Sequence, residues 1–279
     1  MNPNPSRIEF CGAMIHPTAL VHPRARLDST AGVGPYSVID AGVVIGPNCQ
    51  IGPQVYITGE TIIGAGNQFH AGAVIGGPPQ DLKYNGAPTR LRIGDQNVFR
   101  EHTTVNRATN PEGETIIGSH NFLMQHVHIA HNCRVHDHII MGGGSMLAGH
   151  SEVFDHALIS GNCLIHQFCR MGTLALMQGG SAISKDLPPY TVARRSNEIC
   201  GLNVIGLRRA GLDSNQRLGL KRLYQALFRS GLNLRAAAAA AREQFTAPEA
   251  KLMLDFIAAS KRGIVREIRS RAPEESPED

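Results

Sequence analysis

Tryptophan is absent from the sequence, and aromatic residues make up only 5% of its 279 positions. So little ring volume argues against a thick mixed core. The 30 glycines, with abundant Ile and Val, point instead to thin, regular layers joined by tight turns. The six cysteines (Cys11, Cys49, Cys133, Cys163, Cys169 and Cys200) form no CxxC pair and are too sparse for a disulfide scaffold. A reducing compartment fits them. No basic start followed by an apolar run is visible, and no stretch approaches the ~18–20 consecutive apolar residues of a membrane span. The expectation is a soluble, cytoplasmic protein without a membrane span.

What the sequence does have is a period of six. From Ile15 to Ile183, 26 of the 29 positions spaced six apart are Ile, Leu, Val, Met or Phe. Composition alone would give about 8, so the pattern is a structural repeat. The misses are Asp81, Ala87 and Pro111. Two residues before the aliphatic position the side chain is usually small, and Cys49, Cys133, Cys163 and Cys169 occupy that slot as packing residues. A hexapeptide period belongs to parallel β-helices, in which three hexapeptides close one triangular coil of 18 residues.

Two segments break the repeat, at residues 77–92 and 106–114. Both are polar and rich in Gly or Pro, so both read as loops ejected from the coil, where function tends to gather. The first holds Asp81, Lys83 and Tyr84 together. The repeat stops near residue 190, and helical patterns are expected over 191–271. Asp213 or Ser214 caps a helix to about Arg229, with Leu220, Leu223, Tyr224 and Leu227 on one face. Two more helices follow, Leu234 to Phe245 and Pro248 to about Ser260. Residues 1–14 read as an N-terminal extension and 272–279 as a disordered acidic tail. From Tyr190 to Ala272 there are 16 Lys and Arg against 6 Asp and Glu. That surplus suits an acidic partner, or is a plain solvated helical face. No nucleic-acid motif or run of stacking aromatics accompanies it.

The coil arithmetic also sorts the 13 histidines. Ile129, Leu147 and Ile165 are 18 apart and therefore stack, which draws His128, His131, His150 and His166 to one edge of the prism. Imidazoles titrate near neutral pH and suit proton transfer. A second ladder, His120, His138 and His156, runs along another edge; a zinc site shared with a neighbouring subunit is one reading of it, simple stacking the other.

Specific segments go further. Ile15 to Pro23, the loop Gln80 to Arg90, His128-Ile129-Ala130-His131-Asn132-Cys133, Leu147 to His150, His166 to Cys169 and Gly201 to Arg209 resemble the UDP-N-acetylglucosamine O-acyltransferases. The resemblance implies an all-β left-handed parallel β-helix with a C-terminal α-helical part, assembled as a homotrimer with sites between subunits. It implies transfer of a 3-hydroxyacyl chain from acyl carrier protein to the 3-hydroxyl of UDP-N-acetylglucosamine, the first step of lipid A synthesis. No cofactor is implied beyond the phosphopantetheine of the carrier, and no resident metal.

Carried onto this chain, the resemblance makes His131 the general base and the Gly149 N–H the oxyanion donor. His128, His150 and His166 would hold the UDP-sugar. Asp81 and Lys83 would meet the sugar and acyl chain, Gln167 and Asn203 would line the nucleotide and acyl path, and Arg209 would serve phosphate groups. Gly179 falls where the family sets acyl length, and a small residue there leans towards longer chains. Departures are Asn132, where the best-known members have aspartate, and Ile205 and Ala210, where some have Glu and a second Arg. Alternatives are the same transfer to a 3-amino UDP-sugar, a trimer like the γ-type zinc carbonic anhydrases, and a non-catalytic solenoid.

Overall fold

The computed structural model describes residues 15–267. The expected N-terminal extension, residues 1–14, and the acidic tail, 272–279, lie outside the described residues. One coil shows the building rule. Strands Val38–Ile39, Val44–Ile45 and Gln50–Ile51 run round three faces, and the next coil sets Tyr56, Ile62 and Gln68 over Val38, Val44 and Gln50. Each partner lies 18 residues on, so three hexapeptides make one turn. The stacked strands form sheets of nine, eight and eleven strands. Within the coils every strand pairing is parallel, so strand backbone groups are satisfied between coils.

The second residue of each short strand points inward. Ile39, Ile45, Ile51, Ile57 and their successors are essentially inaccessible, and Phe69 and Phe99 stack inside with centroids 4.7 Å apart. Cys49, Cys133 and Cys163 are buried beside them, and their thiols lie 3.1–3.2 Å from carbonyls of the next coil. Burial pushes the Cys133 thiol up to about 12, which fits a packing residue and not a nucleophile.

At the corners the chain must turn sharply, and the third residue after the inward aliphatic adopts positive φ. His102, His120, His126, Asn132, His138, His150, His156 and Asn162 all do so, with φ between 56° and 60°. Asn and His tolerate the left-handed region better than most residues. Six of the 13 histidines are therefore explained by corner geometry before any chemistry is considered.

The outward residues distinguish the three faces. One displays Arg92, Arg134, Glu152 and Arg170. Another displays Val98, Phe122, Ile140, Leu158 and Leu176. The third displays His128, Met146 and Leu164, and carries the groove described below.

The chain does not turn helical at residue 191. Thr191–Arg194 adds to the apolar face, parallel to Leu176–Met177, and Glu198–Leu202 returns antiparallel to it. This hairpin covers the end of the coil. Its residues alternate inward and outward (Ala193 and Ile199 buried), a period of two that the helical reading overlooked. Among the described residues four helices follow: α1 (Val204–Arg209), α2 (Ser214–Phe228), α3 (Leu234–Gln244) and α4 (Pro248–Ala258). The Asp213 carboxylate accepts from the Asn215 and Gln216 N–H groups, and the Gln216 side chain accepts from the Asp213 N–H. Leu220, Leu223, Tyr224 and Leu227 are its buried stripe.

A buried ion pair at the end of the coil also touches the helices. Asp186, 1% exposed, accepts from Arg170 Nε at 3.0 Å and Nη2 at 2.8 Å. The Arg170 guanidinium also donates to the Phe256 carbonyl and lies 4.4 Å from the centroid of that ring.

Candidate active site

His128 and His131 flank Ile129 and Ala130 where the groove face meets the charged face, and Gly149-His150 and His166-Gln167 follow in the next two coils. Their backbones stack because residues 18 apart pair. His131 and His150 meet edge to face, with ring centroids 5.4 Å apart at 86°. The His150 ring stacks on Phe168 at 4.7 Å. An open groove of about 660 Å³ runs past His128, His131, Gly149, His166 and Gln167 and continues over Ser184 and Asn197.

The ring of His131 is held from two sides. Its Nδ1 lies 3.0 Å from Asn132 Oδ1. Behind its other flank is Gly149, where a β-carbon would come 2.5 Å from Cε1 and 2.7 Å from Nε2. No side chain fits at Gly149 unless the imidazole moves. Among the described residues the Gly149 N–H has no acceptor, so a donor beside the base is left free.

His128 accepts or donates one bond, Nδ1 to Thr104 Oγ1 at 2.7 Å. Burial, then the neighbouring His131, holds its pKa below the ordinary 6.5. His150 is shifted the same way by burial and His131, while Asp81 works against the shift. Both favour the neutral form, in which a ring offers one donor and one acceptor to a ligand. His166 lies at the groove wall with its Nδ1 3.3 Å from Arg262 Nη2. Arg262 also reaches the Ser184 carbonyl, so the helical part contributes a cation to the groove. Sequence reasoning missed Arg262, because nothing local signals a contact across 96 residues.

The first ejected loop reaches the groove through Gln80. Asp81 accepts from the Lys83 N–H at 2.9 Å in a side-chain-capped turn, and Gln80 lines the groove. Lys83 is exposed, and Leu82 beside it is 107% exposed at the loop tip. Arg107 ties the two loops, donating to the Gly76 carbonyl at 2.9 Å and to Tyr84 Oη at 3.1 Å.

Asn203, Arg209 and Gly179 stand apart from this groove within one chain. Asn203 caps α1: its Oδ1 accepts from the Gly206 N–H and its Nδ2 donates to the Leu174 carbonyl. Arg209 is exposed at the far end of that helix. Gly179 lies at the opposite edge of the groove face, where a β-carbon would meet only the Gly161 carbonyl at 3.6 Å. The second ladder is a stack: His120, His138 and His156 lie ring on ring at 4.9 and 4.8 Å, nearly parallel. Lone pairs lie in the ring plane, so parallel stacked rings do not converge on one ion. Among the described residues no group of three His, Cys, Asp or Glu could hold a metal.

The coil and its edge of imidazoles define a hexapeptide-repeat transferase, and residues 42–77 match the family described as bacterial transferase hexapeptide (six repeats). Residues 186–265 match the second domain of UDP-N-acetylglucosamine O-acyltransferase. An acyl-[acyl-carrier-protein]--UDP-N-acetylglucosamine O-acyltransferase of Syntrophobacter fumaroxidans is 46% identical over 256 residues, covering 90% of this chain and 99% of that protein. The structure is similar to the UDP-N-acetylglucosamine acyltransferases of Francisella novicida (TM-score 0.88, 35% identity, 91% and 94% of the two chains) and Bacteroides fragilis (TM-score 0.87, 40%, 91% and 100%). The chain belongs to the UDP-N-acetylglucosamine O-acyltransferase family. Its coil is the left-handed parallel β-helix of that family.

Proposed function

We propose that the protein transfers a 3-hydroxyacyl chain from acyl carrier protein to the 3-hydroxyl of UDP-N-acetylglucosamine, opening lipid A synthesis. The observation that carries this reading is the pairing at the groove edge of an oriented imidazole, His131, with the free N–H of Gly149. His131 Nε2 takes the proton of the sugar hydroxyl as that oxygen attacks the thioester carbonyl. The carbonyl oxygen gains the negative charge and is met by the Gly149 N–H. When the tetrahedral centre collapses, the carbon–sulfur bond breaks and His131 returns its proton to the leaving phosphopantetheine thiolate. Protons balance within the site, and the step draws on no cofactor beyond the carrier's own thiol.

His128 and His166, along the same groove, and His150, whose ring meets that of His131, bind the UDP-sugar, with Gln167 beside them; Asp81 and Lys83 from the first loop meet the sugar and acyl chain. Asn203, Arg209 and Gly179 act from a neighbouring copy, in a cytoplasmic homotrimer. Supporting this are the apolar outward face, on which Ile140 is 41% exposed, and the fully exposed Leu82 at the loop tip. The basic helical part suits the acidic carrier. Among the described residues no helix is long and apolar enough to cross a membrane.

The test is turnover of purified protein and a His131→Ala variant with UDP-N-acetylglucosamine and 3-hydroxyacyl carrier proteins of graded length. Transfer by the parent is expected, with a loss of about 10²-fold or more in the variant. Transfer only to a 3-amino UDP-sugar would redirect the acceptor, and silence with both would overturn the reading.

A further inference from the structure

We infer that Thr109, in the second ejected loop, is a positioning residue that selects the working tautomer of the base by locking the amide of Asn132. This rests on His131 acting as proposed above. Asn132 Oδ1 faces three groups: the Thr109 N–H at 3.2 Å, the Thr109 hydroxyl at 2.9 Å and His131 Nδ1 at 3.0 Å. A backbone N–H can only donate, so the atom it meets is the amide oxygen. An amide oxygen can only accept, so His131 Nδ1 carries the proton and Nε2 keeps its lone pair.

The neutrality of Asn132 is what makes Thr109 matter. A carboxylate presents an oxygen to the ring either way round. An amide does not: turned by 180° it would aim its NH₂ at Nδ1, select the Nε2–H tautomer and leave no acceptor to take the substrate's proton. The two Thr109 donors favour the productive orientation. The loop closes the other side as well, since a β-carbon on Gly113 would come 2.8 Å from Asn132 Nδ2. The Asn132 backbone, in left-handed conformation, is held by its N–H donating to Thr115 Oγ1 at 2.8 Å. The second loop, which carries none of the expected site residues, thus reaches the reaction through one amide.

The experiment is a set of Thr109→Val, Thr109→Ser, Asn132→Asp and Thr109→Val/Asn132→Asp variants of the full chain, with kcat, KM and the pH profile of kcat/KM for each. Thermal melting confirms folding. Thr109→Val should lower kcat by about 3- to 10-fold, the worth of one hydrogen bond, at unchanged KM. Thr109→Ser should restore it. In the Asn132→Asp background the Thr109→Val loss should vanish, because both carboxylate oxygens accept, and the acid limb of kcat/KM should move to higher pH. Imidazole ¹⁵N shifts should show His131 protonated at Nδ1 in the parent and mixed in Thr109→Val. An equal Thr109→Val loss in both backgrounds, or none in the parent, would overturn the inference. A His131→Ala variant separates the two claims: full activity there sinks the base itself, whereas its silence leaves only Thr109 in question.

Discussion

The contact between Gly149 and His131 permits a quantitative test of how the base is placed. In Gly149→Ala the new methyl would sit 2.5 Å from Cε1 and 2.7 Å from Nε2. An ordinary carbon contact is about 3.5 Å, so the imidazole must retreat by about 1 Å. The ring cannot do so and keep its 3.0 Å bond to Asn132 Oδ1. A misplacement of that size costs on the order of 10²-fold in rate, or about 2.7 kcal/mol of barrier. The fold itself should tolerate the change, because Gly149 lies outside the left-handed region and alanine can adopt its backbone. The backbone N–H, the proposed oxyanion donor, is also retained. The assay is steady-state transfer to labelled UDP-N-acetylglucosamine alongside a melting curve. An alanine variant within about twofold of the parent, with an unchanged melt, would refute the claim that catalysis depends on this ring position.

The buried ion pair at the end of the coil offers a structural test by a single substitution. Asp186→Ala leaves the Arg170 cation without its buried partner and should cost about 3–5 kcal/mol by denaturant unfolding. His128 and His150 should titrate below 6.5 by NMR, burial being the first cause and His131 the second. Their folded values are depressed, so neutral forms are favoured: stability should hold above pH 6.5 and fall as pH drops below it. Replacing His131 by Gln should raise both values, since it removes a neighbouring ring that can carry positive charge.

The inward aliphatics and small slots were legible because the repeat is local and every coil imposes the same demand. The histidine edge was legible for the same reason, since 18-residue spacing is stacking. For the second ladder the structure shows the stacking of the two readings: His120, His138 and His156 are corner residues in left-handed conformation, lying ring on ring. The hairpin over 191–202 was obscured because its alternation is short and leads straight into helices.

The sequence by itself determined the coil, the loops it ejects and the edge on which chemistry collects, since a six-residue period converts directly into position. Only the tertiary structure decided which atoms meet there. That Asn132 turns its oxygen to His131, that Thr109 holds it so, that Gly149 has no room for a methyl and that Arg262 reaches His166 are contacts made across loops and domains. Sequence spacing can put residues on one edge, but the orientation of an amide or an imidazole is set by the donors and acceptors around it.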